Sequence, residues 1–173
     1  PLCGRNFEYF SEDPLIAGKM AAAKVRGIQS QHIGASAKHF CANNKEVNRF
    51  DSDSILSERA LREIYLKGFE ICVKESQPWT IMSSYNIVNG AHASENYDTL
   101  TAILRGEWGF KGMVTTDWGA HSTNYIEVMT GNDIKMPEGE QEKTMQALAD
   151  GKITRAQLEQ AARRVLEMIL KVD

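Results

Sequence analysis

The sequence predicts an α/β protein of parallel βα units, with helices packed outside a sheet. Two observations carry this. Intervals of helical apolar spacing alternate with short apolar runs bounded by Gly, Pro or polar residues. That alternation is the pattern of a parallel sheet, whose strands are joined by helical crossovers. No solenoid-like repeat is visible. The 173 residues are 42% hydrophobic and 25% charged, which excludes collagen-like and disordered chains. A formal net charge of -3 argues against a general electrostatic grip on nucleic acid. No stretch of about 18 apolar residues is present, so no membrane span is expected. The length alone fits one domain of roughly 100–200 residues.

The elements follow in order. Asp13 is an N-cap and Pro14 a first-turn residue, opening a helix to about Ser30. Ala35 to Phe40, behind Gly34, is a strand. Asn43 to Ser54 is a polar loop. Between Ile55 and Lys74, Leu61, Ile64, Tyr65, Phe69, Cys72 and Val73 fall at helical spacing. After Pro78, Trp79 to Tyr85 is a buried strand, and Asn89-Gly90 is a turn. Tyr97 to Trp108 is a helix closed by Gly109, and Gly112 to Asp117 is the next strand. A weaker strand is expected at Asp133 to Met136. Glu138 to Ala149 is helical. Thr154 and Gln157 form a capping box for a last helix, whose apolar face holds Leu158, Ala161, Ala162, Val165, Leu166 and Ile169.

In βα architectures ligands meet the carboxyl ends of strands. Those ends here are Lys38-His39-Phe40, Met82 to Asn86, Asp117-Trp118-Gly119 and Asp133 to Met136. A carboxylate beside a Trp suits sugar chemistry. The indole stacks on the apolar face of a pyranose, and the carboxylate meets positive charge developing at C1. Lys38 or Arg5 nearby would favour the ionised carboxylate, and Tyr85 would hold its geometry by a hydrogen bond. Adjacent strand residues point to opposite faces. Lys38 and His39 therefore share a cavity only if the backbone is irregular there, through a bulge or a non-prolyl cis bond.

Each residue also has a plainer reading. Asp117 serves equally as a helix N-cap, Lys38-His39 as a solvated strand end, and Tyr85 and Trp118 as core residues. Glu46, Arg49, Glu58 and Arg59 fit structural ion pairs, and His32, His92 and His121 fit loops. Cys3, Cys41 and Cys72 are an odd set without a Cys-x-x-Cys and fit free thiols. No metal-ligand spacing, no phosphate-binding Gly loop and no GxSxG elbow occurs.

A family resemblance enters on longer segments. Cys3 to Pro14 resembles the GRNFE-x-FSEDP segment of glycoside hydrolase family 3 β-glucosidases. Lys38 to Glu46 resembles its KHF-x-x-NN-x-E segment, and Ser57 to Tyr65 its SER-x-LREIY helix. Met82 to Gly90 is similar to MSSYN-x-x-NG, Leu104 to Phe110 to LRGEWGF, and Thr116 to Ala120 to the SDWGA nucleophile motif, with Thr116 in place of Ser. The segments span nearly the whole chain, in family order. A KHFPGHG-type segment, the mark of the family's N-acetylglucosaminidases, is absent.

The resemblance implies a TIM-like (β/α)8 barrel and a retaining, exo-acting β-glycosidase that cleaves terminal non-reducing β-linked glucose. Asp117 would form the covalent glycosyl-enzyme. Arg5, Lys38, His39, Met82, Tyr85 and Trp118 would line the sugar subsite, with no cofactor and no metal. A β-xylosidase is the near variant, and a non-catalytic fragment or assembly subunit is the alternative from another class. A full barrel takes about 250 residues and eight strands, whereas about four strands are readable here. Residues 1–173 are therefore expected to be a partial catalytic barrel, without its early strands and without a second α/β domain that carries the acid/base Glu. The start at Pro1 rather than Met fits that expectation. Missing barrel segments or a second copy are expected to cover the open sheet edges.

Overall fold

The computed structural model describes residues 3–172; Pro1, Leu2 and Asp173 lie outside them. A parallel three-stranded sheet in the order β1 (Ser36–Phe40), β3 (Thr80–Ser83), β6 (Met113–Thr116) forms its centre. Thr80 to Ser83 pair with Met113 to Thr116 without a slip. Between α1 (Pro14–Gln29) and the last helix the chain alternates strand and helix, so the fold is α/β with parallel βα units. It is a segment of a TIM-like barrel.

The first crossover runs from β1 through α2 (Glu58–Ala60), a π-helical stretch (Leu61–Tyr65) and α3 (Lys67–Ser76) to β3. Ser57 caps it by accepting from the Ala60 N–H at 3.2 Å. The second crossover is a π-helical segment, Asp98–Glu107, whose Leu100, Ile103 and Leu104 are buried. Gly109, at φ +69°, turns the chain out of it. Asp13 caps α1 by accepting from the Leu15 and Ile16 N–H groups. Gly18 lets α1 approach α3 closely, since a Cβ there would lie 2.7 Å from Ile71 Cβ. The predicted box at Thr154 and Gln157 forms in both directions, at 2.8 and 3.3 Å.

Ile81, Val114 and Phe40 enter the main apolar cluster with Leu100, Leu104 and Trp108. That cluster lies between sheet and helices. Met82 and Thr115, paired in register, therefore face the opposite, lumenal side. A small second sheet of β2 (Asp53–Ser54), β4 (Ile87–Val88) and β5 (Ala91–His92) closes over the strand ends, with Asn89-Gly90 as its turn.

Two expectations need correction. Asp133 to Met136 is not a strand but a single parallel bridge, Thr115 with Ile134. The Thr116 hydroxyl takes the Met136 N–H at 2.8 Å, and Pro137 has no donor to continue the ladder. The interval before it holds a short helix, α4 (Asn124–Thr130). Its buried residues are Glu127 and Thr130, so apolar spacing gave no signal. Helices α5 (Gln141–Ala149) and α6 (Arg155–Val172) follow. On α6 only Ala161 of the expected apolar face is buried; Leu166 and Ile169 are exposed.

Among the described residues no strand pairs with the outer edge of β1. Beside it, α1, α3 and the segment before α1 enclose an apolar groove of about 620 Å³, lined by Ala21, Val25, Ile28, Ala37, Tyr65 and Phe69 among others. The groove includes Lys38 and His39 but not Asp117, Tyr85 or Trp118. It meets the place where those three lie through His39, whose Nε2 is 3.6 Å from Asp117 Oδ2.

Candidate active site

Asp117 directly follows β6, and its N–H donates to the Ser83 carbonyl at 3.1 Å. The β3 and β6 ends are thereby locked side by side. One carboxylate oxygen, Oδ1, accepts from the Trp118 N–H at 2.7 Å. The other, Oδ2, is buried without a hydrogen-bond partner. The nearest cationic candidate is His39 Nε2, 3.6 Å away and beyond hydrogen-bond reach. Tyr85 donates its hydroxyl to the Trp118 carbonyl at 2.6 Å, fixing the turn that carries Asp117. Trp118, next in the chain, is 62% exposed.

His39 is buried at the end of β1. Burial holds its pKa down at about 4, with the Lys38 and Arg5 charges adding to the effect against the opposing pull of Asp117. The imidazole is therefore neutral at neutral pH. Arg5 Nη1 lies 3.3 Å from Nε2, and Tyr9 Oη 3.2 Å from Nδ1. Arg5 is itself gripped by Glu8, whose two oxygens accept at 2.7 and 2.8 Å from Nη2. Lys38 is exposed beside them. The expected backbone irregularity is present: Lys38-His39 and Phe40-Cys41 are cis, and the β1–β3 register slips between Ala37 and Phe40.

The site also has parts that strand ends did not reveal. The Arg49 guanidinium pairs with Glu46 at 2.8 Å, as expected, and also lies 4.7 Å from the Tyr85 ring centroid. Phe50 packs between Tyr85 and His121, with ring centroids at 4.4 and 4.6 Å. Tyr9 and Glu8 come from the segment before α1, outside any strand. Their only signal was membership of the Cys3 to Pro14 segment that also carries Arg5.

Two strand-end groups belong elsewhere. The Asp133 carboxylate is fully buried against Arg105 (2.7 Å), Arg164 (2.9 Å) and the Val114 N–H (2.8 Å). Lys135 bonds the Ala120 carbonyl and buried Glu127. Both brace the scaffold below the site. Glu58 pairs with Arg62, and Arg59 with Glu63. All three cysteines are free, and burial pushes the Cys41 thiol up to about 12. Among the described residues no cluster of His, Cys, Asp and Glu is arranged to hold a metal, and no helix is long and apolar enough to cross a membrane.

The strand ends of this barrel segment thus bring a carboxylate, an indole, an imidazole and cationic groups to one place. The profile described as Glycosyl hydrolase family 3 N terminal domain matches residues 1–168, and the chain belongs to that family. It is 58% identical over 159 residues to β-glucosidase A of Butyrivibrio fibrisolvens, covering 92% of this chain and 19% of that protein. It is 47% identical to an exo-α-(1->6)-L-arabinopyranosidase of Bifidobacterium breve, over 99% of this chain and 23% of the relative. Among solved structures, β-glucosidase 3B from Thermotoga neapolitana in complex with glucose superposes with a TM-score of 0.95 at 49% identity. That match covers 99% of this chain and 25% of the other. The chain thus spans about a fifth to a quarter of the length of these relatives.

Proposed function

We propose that this chain is the nucleophile-bearing part of the catalytic barrel of a retaining, exo-acting β-glycosidase that removes terminal non-reducing β-linked glucose. The observation that carries this is the state of Asp117: one oxygen is anchored by the Trp118 N–H, and the other is buried, unpartnered and beside a neutral imidazole. In this reading Oδ2 attacks C1 while the C1–O bond to the aglycone breaks. The leaving oxygen takes its proton from a second carboxyl group, which retaining chemistry requires at about 5–5.5 Å. Water then loses a proton to that second carboxylate and attacks C1 of the glycosyl-aspartate, and the C1–Oδ2 bond breaks to release the sugar and restore both carboxyl groups.

Arg5, Lys38 and His39 direct hydrogen bonds at the sugar hydroxyls. Met82 and Trp118 give apolar contact, and Tyr85 holds the Asp117 turn. The acid/base group, the early barrel strands and a second α/β domain lie outside residues 1–173 in this account. The open β1 edge and its groove are then covered by the missing barrel segments. The substrate is a β-glucoside or oligosaccharide, and no cofactor is involved. A second reading keeps the mechanism and takes a pentopyranoside as substrate: a β-xyloside, or the α-L-arabinopyranoside named for two relatives.

The test is turnover of aryl β-glucoside and aryl β-xyloside by the full-length protein and by Asp117→Ala. Wild-type turnover that falls by several orders of magnitude in the variant is expected. An active Asp117→Ala enzyme would refute the assignment, and a preference for xyloside would move the substrate to the second reading.

A further inference from the structure

We infer that Lys135 is a positioning residue whose side chain tethers the loop after Asp117 and so places Trp118 at the sugar subsite. The kinetic consequence rests on the proposed function; the tether itself does not. Lys135 is a cation at an expected strand end, yet its side chain is only 10% exposed and is spent on protein. An ammonium has three N–H donors and no acceptor. Here the three meet the Ala120 carbonyl at 3.1 Å, Glu127 Oε1 at 2.9 Å and the Ser122 carbonyl. Ala120 and Ser122 are buried. Among the described residues no other donor reaches either carbonyl, so without the lysine both would be left unpaired.

The rest of the loop also depends on side chains. The Gly119 N–H donates to the Met136 carbonyl at 2.9 Å. From there to Asn124, among the described residues, no backbone N–H finds a backbone acceptor. Those of Thr123 and Asn124 go to the carboxylates of Glu95 and Glu140. The two flanks of the loop are thus held separately. Ser83 takes the Asp117 N–H and Tyr85 holds the Trp118 carbonyl. Lys135 holds Ala120 to Ser122. Losing Lys135 therefore loosens the far flank of Trp118 and leaves the Asp117 carboxylate anchored. Glu127 is fully buried, so removing Lys135 alone would also strand its charge.

The experiment compares full-length wild type, Glu127→Gln, and Lys135→Met combined with Glu127→Gln. The combination deletes the tether and leaves no unpaired buried charge. Hydrogen–deuterium exchange is followed by mass spectrometry of peptides covering 118–123 and β3. The combination is expected to speed exchange at 118–123 about tenfold with β3 unchanged, the factor that one hydrogen bond to a charged donor carries. KM for aryl β-glucoside is expected to rise by a similar factor, about tenfold, with kcat retained. Glu127→Gln keeps an acceptor for Lys135 and is expected to match wild type in both readouts. Unchanged exchange at 118–123, acceleration that spreads to β3, or a lower kcat at unchanged KM would overturn the inference. So would a Glu127→Gln enzyme that already shows the full effect. If the combination fails to fold, brief acylation of wild type decides. Protection of Lys135 supports the tether, and modification as fast as that of exposed Lys143 overturns it. If wild type lacks glycosidase activity, the proposed function fails, while the exchange at 118–123 still decides the role of Lys135.

Discussion

Replacing Asp133 by Leu should cost the barrel about 3–5 kcal/mol without altering the chemistry of the molecules that remain folded. Asp133 is fully buried and holds two guanidiniums and the Val114 N–H of β6 at 2.7–2.9 Å. Burial pushes its carboxyl pKa up, and the same burial pulls Arg105 down to about 10. Both charges therefore carry a desolvation cost that their attraction offsets. Removing the carboxylate leaves Arg105 buried, with its Nε already lacking a partner and only the Gly112 and Gly131 carbonyls to hold it. Breaking a buried pair from one side typically costs about 3–5 kcal/mol. Replacing both partners with apolar groups removes the uncompensated charge, so Arg105→Met with Asp133→Leu should cost less than Asp133→Leu alone. Urea unfolding followed by tryptophan fluorescence measures each cost, and a double-mutant cycle measures the coupling. A loss below about 1 kcal/mol for the single variant, or additive losses in the cycle, would refute the account of Asp133 as a buried brace.

Other predictions concern the site. His39 has a folded pKa of about 4, below the ordinary 6.5, so its neutral form is the one the fold favours. The sign follows: between pH 6.5 and 4 the unfolded state takes up a proton that the folded state refuses. Stability falls across that window by at most about 3 kcal/mol, and His39→Gln should flatten the pH dependence; an identical slope in the variant would contradict this. Tyr85→Phe removes the 2.6 Å bond to the Trp118 carbonyl and should lower kcat/KM about tenfold with the fold retained, as checked by steady-state kinetics and circular dichroism. The isolated 173-residue chain, with an open β1 edge and the apolar groove beside it, should self-associate in analytical ultracentrifugation. A well-behaved monomer at micromolar concentration would contradict the reading of that edge as one side of a larger sheet.

Much of this was legible in the sequence where local rules decide. Asp13 and Pro14, Asn89-Gly90 and the Thr154–Gln157 box each announce an element boundary through their own backbone chemistry. The β1, β3 and β6 runs are short, and Phe40, Ile81 and Val114 mark the face that packs on the helices. Residue alternation also demanded an irregular backbone at Lys38-His39. What stayed hidden has a common physical cause. Short α4 buries Glu127 and Thr130 instead of a hydrophobic stripe. Asp133 and Lys135 look like site residues at a strand end, yet each is consumed by partners distant in sequence, Arg164 among them. Tyr9, Arg49 and Phe50 reach the site from loops, where no periodicity marks a side chain's direction. The apolar face of α6 was legible as apolar, but of it only Ala161 is buried, while Leu166 and Ile169 stay exposed.

The central claim is that Asp117 is the nucleophile. Its most direct test is trapping with an activated 2-deoxy-2-fluoro-β-glucoside, followed by peptide mass spectrometry of the inactivated full-length protein. One fluoroglucosyl unit on the peptide containing Asp117, with label on that carboxylate, is the predicted result. Label on a different carboxylate, or time-dependent inactivation that persists in Asp117→Ala, would contradict it.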